Sequence, residues 1–186
     1  MIPHRRFGHD DPERRKWQNP EETLKNIGLK PGFSFVDVGC GSGFFALPAA
    51  AIVGSRGRVY GVDVDSEAID ELKREASRRN LENLVLKIGR AEDVILCERC
   101  ADIVFFGIDF HDFQDQIKVL HNARKMLKPE GRLIDLDWKK EPMDVGPPSE
   151  IRFSQKKAVG LIEAASFKVE TVRDSGSYHY IITARP

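Results

Sequence analysis

The sequence is poor in cysteine, balanced in charge and without a long apolar run, and each of these shortages excludes a class of protein. Three cysteines in 186 residues are too few for the disulfide framework of a small secreted domain. Because 29 Lys and Arg are balanced by 29 Asp and Glu, the chain has no net charge that would attract it to nucleic acid or an anionic membrane. The longest apolar run covers only residues 44–53, whereas a membrane span needs about 20 residues.

The N-terminal segment predicts a location inside the cell. Its first 20 residues, MIPHRRFGHDDPERRKWQNP, are charged throughout and lack the apolar core of a signal peptide. Together with the odd cysteine count, this predicts a soluble cytoplasmic protein whose thiols stay free. The 41% apolar content is enough for one core, so we expect an arm at residues 1–18 and a single domain at residues 19–186.

Strand-like and helix-like segments alternate after the arm. Asn19, followed by Pro20 and Glu22, has the pattern that begins a helix. Runs of β-branched and aromatic residues predict strands at 33–38, 59–62, 84–88, 102–106, 132–136, 168–173 and 178–184, the last two joined as a hairpin. Segments with the apolar spacing of a helix lie between several of these runs. We therefore expect an α/β fold with a doubly wound, mostly parallel sheet of about seven strands, a C-terminal antiparallel hairpin and helices on both faces.

A glycine-rich turn after the first strand is the most informative motif. Residues 36–44 read VDVGCGSGF, and glycines at alternate positions let a ligand lie against the backbone. Asp63 ends the second strand, where a carboxylate can accept hydrogen bonds from ribose hydroxyls. The pair predicts an adenosine-containing ligand. The GxGxG spacing differs from the GxGxxG of nicotinamide sites, which remain an alternative, as does a turn that binds nothing.

This motif, with Asp37 two residues before it, resembles the class I, Rossmann-like S-adenosylmethionine-dependent methyltransferases. Further segments that resemble that family lie at 59–65, 89–93, 101–106 and 127–133. The resemblance implies that S-adenosylmethionine is the cofactor. The residues that it places around the cofactor are Asp37, Gly39, Cys40, Gly41 and Gly43 at the amino acid end, Asp63 at the ribose, Val64, Ala91 and Glu92 at the adenine, and Gly107 at the methionine. Many relatives have aspartate where this chain has Arg90, and Glu92 or Asp93 could replace its contact with adenine.

Candidate catalytic residues follow the fourth strand. Asp109 and His111 lie where that family places groups that face the substrate, and a histidine can remove a proton from oxygen or nitrogen near neutral pH. His111 could equally serve only to orient its loop. Cys97 and Cys100 have the spacing of half a zinc site, but the third cysteine lies inside the glycine turn, so we expect no metal. The three cysteines also make arsenite methylation an alternative reaction, since some members of that family perform it.

The remaining predictions concern the role of the N-terminal arm and the class of the methyl acceptor. The arm is expected to act as a lid anchored by Trp17 across the cofactor cleft. Its first 20 residues contain five Lys and Arg against three Asp and Glu, too small an excess for a nucleic-acid arm. We expect a methyltransferase domain that acts on a small-molecule acceptor, which the sequence does not identify. An RNA-directed methyltransferase and a cofactor-binding protein without its own catalysis are the alternatives.

Overall fold

A computed structural model describes residues 8–186 and contains one seven-stranded sheet with the strand order β3-β2-β1-β4-β5-β7-β6. The first seven residues of the predicted arm lie outside this range. The strands are β1 Ser34–Val38, β2 Arg58–Asp63, β3 Leu84–Ile88, β4 Ala101–Gly107, β5 Leu127–Trp138, β6 Lys168–Ser175 and β7 His179–Arg185. The helices are α1 Pro12–Arg15, α2 Pro20–Asn26, α3 Ala46–Val53, α4 Ser66–Arg78, α5 Gln116–Met126 and α6 Gln155–Ala164, with a 3-10 turn at Phe110–Asp112.

The sheet confirms the predicted fold class. Strands β1 to β5 pair in parallel, whereas β7 runs antiparallel to both β5 and β6 and lies next to the edge. Helices α2, α3 and α4 pack on one face, and α5 and α6 pack on the other. Because all parallel strands end on the same side, the turns after β1, β2, β3, β4 and β5 meet at one carboxyl edge.

Side-chain caps explain where several helices begin. Asn19 Oδ1 accepts a hydrogen bond from the Glu22 amide at 3.0 Å, and Pro20 occupies the first position of α2, as predicted. Helix α3 begins at Ala46 without a side-chain cap. Gly41 and Gly43 have φ values of 50° and 99° and form the turn that precedes it.

The structure corrects two predictions outside the carboxyl edge. Strand β5 begins at Leu127 rather than residue 132, because Leu127 pairs with Ala101 before residues 128–131 bulge out of register. Cys97 and Cys100 are not free thiols but form a disulfide with their Cα atoms 6.0 Å apart. The left-handed φ of 49° at Arg99 folds this segment back on itself.

Within residues 8–186, no helix combines the length and the apolar composition that crossing a bilayer would need.

Candidate functional site

The glycine turn forms the centre of the carboxyl edge. Gly39 has a φ of 77°, and a Cβ added there would lie 1.8 Å from Asp109 Oδ2. Glycine is therefore required, because the Asp109 carboxyl already occupies the space of a side chain. At Gly41 a Cβ would meet nothing within 4 Å, so the second glycine leaves open surface beside the turn.

Asp63 is held against that open surface. Its Oδ2 accepts a hydrogen bond from the Gly41 amide at 2.8 Å, and its Oδ1 accepts one from the Asp65 amide at 2.9 Å. Each carboxylate oxygen has further lone pairs, so hydroxyl donors can still bind. The neighbouring Val64 side chain is 66% exposed, which leaves an apolar surface next to the carboxylate.

The turn after β3 is tied to the loop after β4. Glu92 is buried, and its Oε1 accepts a hydrogen bond from the Gln114 amide at 2.9 Å. Burial acts to raise the pKa of Glu92, but backbone N–H donors outweigh it, so the pKa lies below its usual value. Asn122 Nδ2 donates to the carbonyls of Ala91 and Glu92, at 3.1 and 2.8 Å. Glu92 thus connects the turn after β3 to the loop after β4. Contact of Ala91 or Glu92 with a ligand stays a prediction.

A small cavity of about 50 Å³ lies between the glycine turn and the N-terminal arm. Its lining residues are Arg14, Asp37, Gly39, Cys40, Gly41, Ser42, Phe44, Phe45 and Gly107. Arg14 comes from α1, and its guanidinium carbon lies 3.7 Å from the centroid of the Phe44 ring. Its Nε donates to Gln18 Oε1 at 2.8 Å. Asp37 is 2% exposed, and among residues 8–186 its Oδ2 has no hydrogen-bond partner.

The cavity therefore contains charge of both signs. Burial lowers the pKa of Arg14 to about 9, against the opposing attraction of Asp37, Asp109 and Asp11, so the guanidinium stays charged at neutral pH. Burial raises the pKa of Asp37 to about 7, although Arg14 acts in the opposite direction. Asp37 is thus a titrating carboxyl near neutral pH. Burial, with Asp37 and Asp137 as neighbours, raises the pKa of Asp109 well above its usual value.

His111 and Asp137 form a buried dyad beyond the end of β4. His111 Nδ1 lies 2.8 and 3.0 Å from the two carboxylate oxygens of Asp137, which also accepts from the Trp138 amide at 2.7 Å. Because a carboxylate only accepts, Nδ1 carries the proton and Nε2 can act as the acceptor in neutral His111. Burial acts to lower the pKa of His111, but Asp137 and then Asp112 outweigh it, so the net shift is upward.

The N-terminal arm, described here for residues 8–18, crosses the carboxyl edge. His9 Nδ1 lies 2.9 Å from Glu71 Oε1 on α4, and Arg14 lines the cavity. Trp17 contacts the last residue of β5 and the first residue of β7. The Trp17 ring centroid lies 5.1 Å from that of Trp138 and 5.5 Å from that of His179. Trp17 is thus not among the residues lining the cavity, where Arg14 takes the place expected for it.

A loop at residues 139–151 covers the other side of Trp138. The buried Arg152 guanidinium donates to the carbonyls of Pro147, Val145, Glu141 and Lys139, at 2.6 to 3.3 Å. One side chain therefore fixes the path of the whole loop. Phe153 follows it and packs edge-on toward His111, with ring centroids 6.5 Å apart.

Three residues of this site escape prediction from the sequence. Arg14 lacks any local signal, because its position depends on how the arm folds over the sheet. Asp137 had a usable signal, since Asp135 and Asp137 alternate with apolar residues in a buried strand. Arg152 is a single cation in a loop, and only the loop's path reveals its partners.

The cysteine pair lies at the opposite edge of the sheet. Cys100 directly precedes the first residue of β4, whereas His111 follows the last one. Seven strand residues, at about 3.3 Å each, separate the two ends. Among residues 8–186, no group of His, Cys, Asp and Glu could hold a metal ion. The pair cannot present a metalloid to the glycine turn, which argues against the arsenite alternative.

Comparisons with known proteins agree with this geometry. A family model described as a methyltransferase domain matches residues 29–180. A demethylmenaquinone methyltransferase from a Geobacillus species is 28% identical over 122 residues, which are 66% of this chain and 51% of that protein. The chain thus spans about half the length of the curated relatives it matches.

Solved structures extend the similarity to nearly the whole chain. A SAM dependent methyltransferase from Aquifex aeolicus is 32% identical, has a TM-score of 0.89, and is matched over 94% of this chain and 93% of its own. An arsenic (III) S-adenosylmethionine methyltransferase from Chlamydomonas reinhardtii is 21% identical, with a TM-score of 0.64 over 85% of this chain and 64% of its own. The latter likeness concerns the fold alone.

Proposed function

The chain belongs to the class I S-adenosylmethionine-dependent methyltransferases, and we propose that it transfers the methyl group of that cofactor to a small-molecule acceptor. The observation that carries the proposal is the Asp63 carboxylate, held 2.8 Å from the Gly41 amide beside an open turn. Vicinal ribose hydroxyls are donors that such a carboxylate binds. The name of the Geobacillus relative supports a small acceptor, since it describes a quinone substrate.

The residues at the carboxyl edge fit the cofactor part by part. Val64 offers an exposed apolar surface for the adenine, and Asp63 offers acceptors for the ribose. Gly39, Gly41 and Asp37 surround the space for the amino acid end, where Asp37 Oδ2 needs a donor. When bound, the cofactor supplies an electrophilic methyl group on a sulfonium. The chain therefore has to orient a nucleophile and exclude water, and needs no strong electrophile of its own.

His111 is proposed as the general base. Asp137 holds Nδ1–H, so that Nε2 takes the proton from an acceptor O–H or N–H as the nucleophile forms its new bond. Asp137 is a positioning residue that also stabilises the resulting imidazolium. We propose that Asp109 supports the glycine turn, because its carboxyl fills the space that a side chain at Gly39 would occupy.

The arm is proposed as the lid of this site. Phe153 packs edge-on to His111, and Trp17 packs on Trp138 at the end of β5, so aromatic side chains at the carboxyl edge favour a small planar acceptor over a polymer. The cations of α1 have partners within the chain, which weakens the RNA-directed alternative. Arg15 pairs with Asp10 and Glu21, at 2.8 and 3.1 Å, instead of facing outward as a phosphate contact.

Calorimetric titration with S-adenosylmethionine, S-adenosylhomocysteine and NAD tests the cofactor. We expect both adenosyl ligands to bind and Asp63→Asn to weaken them at least tenfold, since a charged hydrogen bond contributes about 1.5–3 kcal/mol. Asp70→Asn is the matched control, because Asp70 lies exposed on α4 and, among residues 8–186, pairs with Lys73. Preference for NAD would overturn the proposal.

Radiolabelled methyl transfer tests the acceptor class. The full chain is incubated with labelled cofactor and either a metabolite extract or total RNA. We expect label in a small molecule and none in RNA. Label only in RNA would support the RNA-directed alternative, and cofactor binding without transfer to either would support the non-catalytic one.

A further inference from the structure

The cavity at the glycine turn is complementary to a zwitterion. Arg14 and Asp37 both line it, are 8% and 2% exposed, and have opposite charge when Asp37 is ionised. An α-amino acid presents a carboxylate and an ammonium on one carbon, so it can satisfy both groups in one small space. A pyrophosphate would bring two negative charges next to Asp37 and meet repulsion.

We propose that Arg14, carried on the N-terminal arm, binds the carboxylate of the amino acid part of the cofactor. The assignment rests on the proposed function. Arg14 lies outside residues 29–180 that the family model matches, so this contact belongs to the arm of this chain. The Phe44 ring, 3.7 Å from the guanidinium carbon, and Gln18 Oε1, 2.8 Å from Nε, hold the guanidinium in the wall of the cavity.

The contact links cofactor binding to closure of the arm. Trp17 is three residues beyond Arg14 and contacts Trp138, the last residue of β5, at the carboxyl edge. A bound carboxylate therefore stabilises the arm in its docked position across that edge. A nucleoside without the amino acid part gives no such stabilisation, so the arm distinguishes the cofactor from simple adenosines.

Binding of carboxylate-free analogues to the full chain tests the assignment. Calorimetry compares S-adenosylmethionine with its decarboxylated form and with 5′-methylthioadenosine, in the wild type and in Arg14→Gln. The wild type should favour S-adenosylmethionine over the decarboxylated form roughly ten- to hundredfold, as expected for a charge-assisted hydrogen bond at a buried site. Arg14→Gln should abolish that preference and leave the affinity for 5′-methylthioadenosine nearly unchanged.

Arg15→Gln is the matched control, because Arg15 lies on the same helix and pairs with Asp10 and Glu21. It should keep the full preference. If Arg14→Gln keeps the preference, or weakens all three ligands equally, Arg14 acts only on the arm and the assignment is wrong. Arg14→Lys keeps the charge without the planar guanidinium and should show an intermediate preference for S-adenosylmethionine over its decarboxylated form. This variant tests the assignment if Arg14→Gln does not fold. Failure of the wild type to bind even 5′-methylthioadenosine would instead overturn the proposed function itself, and the assignment with it.

Discussion

Acidification is expected to release the N-terminal arm, because the arm buries a histidine that cannot be protonated in place. His179 is 2% exposed, its ring packs against the rings of Trp17 and Trp138, and its Nε2 has no hydrogen-bond partner among residues 8–186. Burial lowers the pKa of His179 to about 3, and the positive charges of Arg14, Lys139 and Arg152 act in the same direction. Removal of the arm takes away Arg14 and part of the burial together.

The sign and size of the effect follow from linkage. An exposed histidine has a pKa of about 6.5, so between about pH 6.5 and 3 the released state binds more protons than the docked state. Docking is therefore at full strength above pH 6.5 and weakens as the pH falls. If release exposes His179 fully, the loss at pH 5 reaches its upper bound of about 2 kcal/mol. This is comparable to the about 1–3 kcal/mol that the two ring contacts of Trp17 add beyond burial of its area, so the arm is expected to loosen near pH 5.

Intrinsic fluorescence measures the release directly. The chain has two tryptophans, and both belong to this contact. Emission should shift to longer wavelength near pH 5 while the far-ultraviolet circular dichroism stays native. His179→Phe keeps an aromatic ring without a titrating group and should lose the transition. A flat emission profile from pH 8 to 4 in the wild type, or the same transition in His179→Phe, would refute the reasoning.

Three further predictions concern the carboxyl edge. Asp137→Asn should lower the pKa of His111, because the carboxylate that raises it is lost, and nuclear magnetic resonance titration of the imidazole checks this; an unchanged pKa would contradict the dyad. Gly39→Ala should destabilise the fold by at least about 2 kcal/mol in thermal unfolding, because its Cβ would meet the Asp109 carboxyl. Asp109→Ala in the same chain should recover part of the loss, and purely additive effects of the two substitutions would contradict the contact between residues 39 and 109. Binding of the cofactor's ammonium next to Asp37 should lower the pKa of Asp37 from about 7 and release up to about half a proton at pH 7, so the binding enthalpy should vary with the ionisation enthalpy of the buffer.

The parts of the fold that local chemistry determines could be predicted from the sequence. Residues 84–88 form the predicted third strand without error, and the Asn19 cap begins α2 where the pattern indicates. Spacing also sufficed to bring the glycine turn and Asp63 together, because parallel strands end at the same edge. These features depend on alternation, on caps and on glycine, all of which act within a few residues.

The parts that depend on distant contacts could not be predicted. Arg14 enters the cavity only because the arm is anchored at both ends, by His9 on α4 and by Trp17 on Trp138. The sequence pattern of the arm shows scattered charge and one tryptophan, and so favours the tryptophan as the residue that faces the ligand. The partner of His111 lies 26 residues further along the chain, in a different strand.

Polar residues at the carboxyl edge oppose stability and thereby indicate function. Asp135 is fully buried on the face of β5 that also bears Asp137, and neither of its oxygens has a hydrogen-bond partner among residues 8–186. Burial raises the pKa of Asp135 well above its usual value, and the neighbouring Asp137 adds to the shift. Isoleucine would fit such a strand at lower cost. A sheet optimised only for packing would carry apolar side chains here, so the cost of burying Asp137 is best explained by its contact with His111 Nδ1, which the proposed base requires.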